Sequence, residues 1–240
     1  MTDLYDCYTS TISIADEDSA KLLTWSKCYF KANYINELPI ANDANILEIG
    51  CGYGRYLIAL KELGYTNCYG IDISEQQVSY AINKLNLENI EKADALKWLE
   101  GKESKYECIL LFDILEHLAN DDLMELGGKL YKALHPGGKL IIQAPNGMAP
   151  LSPFLWGDLT HKRAFTVTSM RQYLRSIGFS NIYFSELGPH IFSWKDIFRK
   201  MLWCMFYKPM IMAFMKVVNG GLMGGVYTAN LKTIAIKENL

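Results

Sequence analysis

The segment Asn45–Leu57, NILEIGCGYGRYL, restricts the fold of this chain more than any other stretch. Its apolar run Ile46-Leu47-Glu48-Ile49 has the length and composition of a buried strand in a parallel sheet. The chain then turns through Gly50-Cys51-Gly52-Tyr53-Gly54 and enters a helical pattern with Tyr56, Leu57, Leu60 and Leu63 on one face. A glycine-rich turn between strand and helix lets a ligand approach the backbone and leaves the first helical N–H groups to meet it. A dinucleotide fingerprint, G-x-G-x-x-G, needs glycine at position 55, where this chain has Arg55. That departure disfavours a dehydrogenase.

Strand and helix patterns alternate downstream. Strands are expected at 45–50, 67–72, 90–93, 107–112 and 139–145, and helices at 54–63, 75–86, 94–100 and 121–134. Such alternation implies an α/β fold with a doubly wound, right-handed parallel sheet, whose ligands bind outside the C-terminal strand ends. The second strand ends in Asp72, roughly 20 residues past the glycines, where a carboxylate accepts both hydroxyls of a ribose. Ser74 reads as the cap of the next helix. After Pro145 come a loop, a helix at Thr168–Ile177 stopped by Gly178, a strand at Asn181–Glu186 and a last strand at Tyr227–Lys237.

Glu48, Gly50, Gly52 and Gly54 form E-x-G-x-G-x-G, which resembles the first motif of the class I S-adenosylmethionine-dependent methyltransferases. Four further segments follow in that family's order: NCYGIDI, NIEKADA, ECILLFD running into FDILEHL, and LHPGGKLIIQAPN. The resemblance covers residues 40 to 185 or so. It implies a Rossmann-like, mostly parallel seven-stranded sheet with its last strand antiparallel, and S-adenosyl-L-methionine as cofactor. It also implies cofactor contacts from Glu48, Gly50, Cys51, Gly52, Gly54, Asp72, Ile73, Asp94, Ala95, Phe112 and Asp113.

Two segments flank this core. Residues 1–40 read as an N-terminal helical lid, with a helix at Glu17–Leu38 ended by Pro39. That helix either covers the cofactor cleft or closes the sheet edge, with Tyr5, Tyr8 and Lys31 as candidate contacts. The methyltransferase domain at 41–240 carries a helical insertion at about 190–226. In it, Lys195, Asp196, Arg199 and Lys200 cluster on one side, and Ile197, Phe198, Met201, Leu202, Cys204 and Met205 on the other. Lys208-Pro209 and Lys216 are expected to interrupt it, leaving no clean transmembrane span. Packing on the core, a homodimer interface, peripheral membrane contact and a substrate lid are the readings of this insertion.

Methyl transfer from a sulfonium is an in-line displacement governed by positioning, and a hydroxyl acceptor adds the need for a base. The chain has His117, His135, His161 and His190. His135 precedes Pro136-Gly137 and reads as structural, whereas His117 follows the fourth strand. His161 lies in the polar loop Gly157–Arg163 and is taken as the base or acceptor-orienting residue. Asp158 then fixes its tautomer, Lys162 and Arg163 suit a phosphate or acidic sugar, and His117 is the second candidate. Asp113-x-x-Glu116-His117 with His161 also resembles the E-x-x-E-H set of certain sugar-hydroxyl and quinone O-methyltransferases that hold a divalent ion. Here the first acid is the shorter Asp, and the working assignment is metal-free. Glu116 is otherwise a helix-start acid beside the macrodipole.

The segments DLTHKRAFT, 158–166, and GGVYTANL, 224–231, resemble the small methyltransferases of bacterial O-antigen and surface-polysaccharide clusters. That implies O-methylation of a sugar, nucleotide sugar or lipid-linked glycan. The rival readings are a quinone-like or other hydrophobic acceptor, and a non-catalytic cofactor-binding module. A net charge of −2 gives no electrostatic footprint for nucleic acid. Six cysteines without a CxxC read as reduced thiols, and the polar start MTDLYDCYTS lacks signal-peptide character. The expectation is a cytoplasmic protein, either free or peripheral at the inner membrane face.

Overall fold

The computed structural model describes residues 19–187, 191 and 193–239; Tyr5, Tyr8 and His190 lie outside them. Its seven strands are β1 (Ile46–Ile49), β2 (Cys68–Asp72), β3 (Ile90–Lys92), β4 (Tyr106–Phe112), β5 (Leu134–Pro145), β6 (Asn181–Glu186) and β7 (Asn230–Ile236). They form one sheet in the order β3-β2-β1-β4-β5-β7-β6. The pairs β1/β2, β1/β4, β2/β3 and β4/β5 are parallel, and β7 runs antiparallel to both its neighbours, as expected. Strands β1 and β4 are apolar apart from Glu48 and Glu107 because both sheet faces are covered. Leu47, Ile49, Ile109 and Leu111 belong to one buried cluster, and Ile46, Cys108, Leu110 and Phe112 to the other. The strand order reverses between β1 and β4, which opens a crevice at their C-terminal ends.

The helices are α1 (Ser19–Tyr34), α2 (Arg55–Glu62), α3 (Glu75–Leu85), α4 (Ala95–Trp98), α5 (Asn120–Ala133), α6 (Pro153–Trp156), α7 (Val167–Ser176), α8 (Trp194–Leu202) and α9 (Lys208–Asn219). Ser74 caps α3 by accepting from the Gln77 N–H. Helix α1 lies on the sheet face rather than its edge: Phe30 and Tyr34 are buried, with ring centroids 5.2 Å from Tyr56 and 4.7 Å from Phe112 respectively. Its Trp25 and Tyr29 reach the cleft.

The largest departures from expectation lie in β5, β7 and the insertion. Strand β5 begins at Leu134, directly after α5, and not at 139. Leu134 pairs with Tyr106 and Lys139 with Cys108, so residues 135–138 bulge from the strand at Gly137, where φ is +79°. Strand β7 starts at Asn230 because Asn146 Nδ2 donates to the carbonyls of Val226 and Thr228, holding Tyr227–Ala229 outside the ladder. The insertion is not interrupted at Lys208-Pro209. Helix α8, a π turn at Trp203–Tyr207 and α9 run together as Trp194–Asn219, 26 residues long and apolar enough, by length and composition, to cross a membrane. The widened turn just ahead of Pro209 relaxes the hydrogen-bond ladder where the proline ring and missing N–H would otherwise break it.

Candidate active site

The turn after β1 is held by glycine geometry. Gly50, Gly52 and Gly54 have φ of +70°, +55° and +79°. A Cβ on Gly50 would lie 1.9 Å from Ile114 Cδ1, and one on Gly54 2.4 Å from Leu87 Cδ1. At Gly52 a Cβ would meet nothing nearer than Gln77 Oε1 at 3.8 Å, so this backbone is open to a ligand. Asp72 clamps the turn, its Oδ2 accepting from the Gly52 N–H at 2.7 Å and its Oδ1 from the Ser74 N–H at 2.8 Å. Each oxygen keeps a second lone pair for a ribose hydroxyl. Burial raises the Asp72 pKa and the backbone N–H groups oppose it.

Ile73 is 55% exposed beyond the end of β2, an apolar surface fit for an adenine ring. Asp94 caps α4, accepting from the Lys97 N–H at 3.1 Å, with Ala95 beside it. Cys51 is turned away from the cleft: it is buried, and a Cβ on Gly70 would lie 2.8 Å from its Sγ. The Phe112 ring is engaged by Phe30, Tyr34 and Tyr56, so this residue offers a ligand its backbone alone. Glu48 is buried, its Oε2 lacks a partner, and burial pushes it up to about 8 against the pull of Arg55. The open cradle at Gly52, the lone pairs of Asp72 and the exposed Ile73 fit the methionine, ribose and adenine parts of S-adenosylmethionine.

Beside this turn lies a cavity of about 1000 Å³. His161 is on its wall with Asp113, Glu116 and Asp158, while His117 lies behind, ring centroids 4.6 Å apart and planes at 66°. His161 Nδ1 is 3.1 Å from the Leu155 carbonyl oxygen, so the N–H donates there and Nε2 is left as an acceptor. Nε2 stands 3.9 Å from both Glu116 Oε1 and Asp158 Oδ2. The tautomer is therefore set by Leu155, not by Asp158. The one-turn helix α6 leaves its C-terminal carbonyls without helical partners, and one of them takes the imidazole. Asp158 Oδ1 accepts instead from the Thr160 N–H at 2.8 Å and its hydroxyl at 2.6 Å. Thr160 has no second proton for His117 Nδ1, 2.8 Å away, so the imidazole donates to the hydroxyl. Burial and the neighbouring His161 push His117 down to about 4, which keeps it neutral.

Glu116 is fully buried and neither carboxyl oxygen has a partner, unlike a solvated helix-start acid. Burial, with Asp113 nearby, raises it well above the carboxylate range. Asp113, at φ +56°, accepts from Gln143 Nε2 at 2.6 Å. Burial pushes it up to about 6, opposed by Gln143, Arg55 and His161. Ligand atoms of Glu116, His117 and His161 lie within 4.8 Å of one another, a set that could hold a divalent ion.

Several residues on the wall escape a reading of the sequence. Gln143 Oε1 accepts from Tyr29 at 2.9 Å and Tyr34 at 2.7 Å, tying α1 to Asp113. Its one signal is a glutamine inside the apolar strand LIIQAP. Arg55 and Arg199 supply the cations of the wall. Arg163 does not: its guanidinium braces the loop by donating to Asn120 Oδ1 at 2.7 Å and the Leu118 carbonyl at 2.5 Å. Lys162 does not line the cavity, and Lys31 is exposed away from it.

A family model described as a methyltransferase domain matches residues 26–183. The phosphoethanolamine N-methyltransferase of Plasmodium falciparum is 24% identical over 165 residues, which take in 65% of this chain and 61% of that protein. The mitochondrial ubiquinone biosynthesis O-methyltransferase of Dictyostelium discoideum is 27% identical over 124 residues, 45% of this chain and 37% of that one. Both matches span less than two thirds of the relative's length. A SAM-dependent methyltransferase from Archaeoglobus fulgidus shares the fold with a TM-score of 0.67 at 21% identity, over 98% of this chain and all of that one. With the glycine turn, Asp72 and the strand order in place, the chain belongs to the methyltransferase domain family and is a class I S-adenosylmethionine-dependent methyltransferase.

Proposed function

We propose that this enzyme methylates a hydroxyl oxygen of a sugar, nucleotide sugar or lipid-linked glycan on the cytoplasmic side. The observation that carries the reading is His161, held by Leu155 in the tautomer whose Nε2 accepts a proton, on the wall of the cavity beside the cofactor turn. S-adenosylmethionine, when bound, supplies a methyl group on a positively charged sulfur. Nε2 of His161 would take the proton of an acceptor hydroxyl placed in line with that methyl group, whose bond to sulfur would break on transfer. Asp158, 3.9 Å from Nε2, stabilises the imidazolium that forms.

The wall suits a polyhydroxylated acceptor. Trp25 stacks on Tyr29 at 5.0 Å, and aromatic faces alternate with Asp158, Arg199 and Asn230. Arg199 and Arg55 would meet a phosphate or acidic group on the acceptor. A quinone-like acceptor is the second reading, favoured by Ala149, Pro150, Phe154 and Leu187 on the same wall. Incubation with methyl-labelled cofactor and a panel of nucleotide sugars, lipid-linked glycans, quinols and phosphoethanolamine, read by mass spectrometry, tests the reading. The expected product is an O-methylated sugar. Methylation of a quinol or of phosphoethanolamine alone would overturn it.

A further inference from the structure

We infer that the helix Trp194–Asn219 lies in the surface of an anionic lipid bilayer and seats the mouth of the cavity on it. One face of this helix, Asp196, Arg199, Trp203 and Tyr207 at i, i+3, i+7 and i+11, lines the cavity. Among the described residues nothing covers the other face. Phe198, Met205 and Phe214 are each at least half exposed, and 6% of the helix's most apolar stretch is buried. The segment that follows β5 exposes further apolar side chains beside the cavity. Its Leu151 is 93% exposed and Trp156 79%, while Phe154 between them lines the cavity. Apolar exposure of this extent marks an interaction site.

The charge of the segment selects its partner. Residues 193–226 carry Lys195, Arg199, Lys200, Lys208 and Lys216 against Asp196 alone, a net +4 in a chain whose total is −2. With Arg199 on the cavity wall beside Asp196 and Lys208 paired to Glu186, anionic headgroups meet the exposed Lys195, Lys200 and Lys216. A second copy of the chain does not complement them, because a two-fold interface would set the exposed Lys195, Lys200 and Lys216 against the same lysines. Spanning is opposed by position. Lys208, in the middle of the helix, donates to Glu186 Oε2 at 3.0 Å on β6. Crossing the bilayer would break that pair and take Asp196, Arg199 and Lys208 into hydrocarbon. An amphipathic helix with its cations beside an apolar face lies along the interface. Among the proposed acceptors this favours the lipid-linked ones; that consequence rests on the proposed reaction, whereas the docking does not.

Flotation of the full chain with phosphatidylglycerol-containing vesicles and with phosphatidylcholine vesicles tests the docking without turnover. Flotation is expected with the anionic vesicles, at least tenfold weaker with the neutral ones, and reversed by alkaline carbonate. The double substitution Phe198→Glu, Met205→Glu should lower the bound fraction at least tenfold with cofactor binding unchanged by calorimetry. Lys195→Glu with Lys200→Glu, both on the exposed surface, should do the same through charge alone. Absence of flotation, flotation indifferent to lipid charge, resistance to carbonate, or a dimer in sedimentation that ignores vesicles would each overturn the inference. A chain that floats but methylates no sugar would overturn only the proposed reaction.

Discussion

The Nδ1–H of His161 donates to the carbonyl oxygen of Leu155 at 3.1 Å, so a backbone group of a one-turn helix, and no carboxylate, presents Nε2 as a proton acceptor. If Nε2 is the base, His161→Ala should lower turnover about 10²–10⁴-fold, the range of general-base help. Cofactor affinity should be unchanged, since His161 is apart from the glycine turn. His117 sits behind, tied to Thr160, and His117→Ala should cost less. A large loss in His117→Ala beside an unaffected His161→Ala would move the base to the end of β4.

Asp72 does two things at once, which sets the size of its effect. Its two oxygens hold the N–H groups of Gly52 and Ser74 and would also take the ribose hydroxyls. Asp72→Ala should weaken S-adenosylmethionine binding by about 1–3 kcal/mol in calorimetry, the scale of hydrogen bonds to a charged group. Asp72→Asn keeps one acceptor and should lose less. Unaltered affinity in Asp72→Ala would remove the ribose from this residue.

What was legible in the sequence follows from local physics. Buried parallel strands are apolar on both faces, so β1 and β4 stood out, and three glycines at alternate positions declared the turn between β1 and α2. The rest depended on partners far along the chain. Gln143 meets Tyr29 and Tyr34 from 114 and 109 residues away, and no periodicity encodes that meeting. Arg163 and Arg199 carry the same guanidinium, yet packing engages one with Asn120 and leaves the other on the cavity wall. Pro209 looked like a helix break because a π turn has no sequence signature. Sequence spacing points to Asp158 for the tautomer of His161, whereas the Leu155 carbonyl of α6 lies closer in space.

Glu116, His117 and His161 are close enough to share an ion, and chelation separates that arrangement from the base reading. Two of the three donors are imidazoles and the third is a carboxyl whose pKa burial raises, a poorer set for a hard divalent ion than several carboxylates. Turnover is expected to survive EDTA. Loss of turnover that magnesium or manganese restores would turn His161 from a base into a ligand. Glu116→Gln, which keeps the shape of a protonated carboxyl, should then be as inactive as the chelated enzyme.

Glu48 binds a proton more tightly in the folded chain than in the unfolded one, where its value is the ordinary 4.5; burial takes it to about 8. Between those values the folded state holds more protons than the unfolded state, so stability falls as pH rises through the window. The cost is absent below the lower value and complete above the upper one, with a slope of at most about 1.4 kcal/mol per pH unit. Asp113, pushed up to about 6, adds a slope of the same sign at lower pH, so the interval from about 6.5 to 8 reports Glu48 with less interference. Glu48→Gln removes the ionisation and keeps the volume. In urea unfolding without cofactor, the stability of Glu48→Gln relative to wild type should therefore rise steadily from pH 6.5 to pH 8. A difference that stays constant across this interval would mean that Glu48 is already ionised at neutral pH, with Arg55 outweighing the burial.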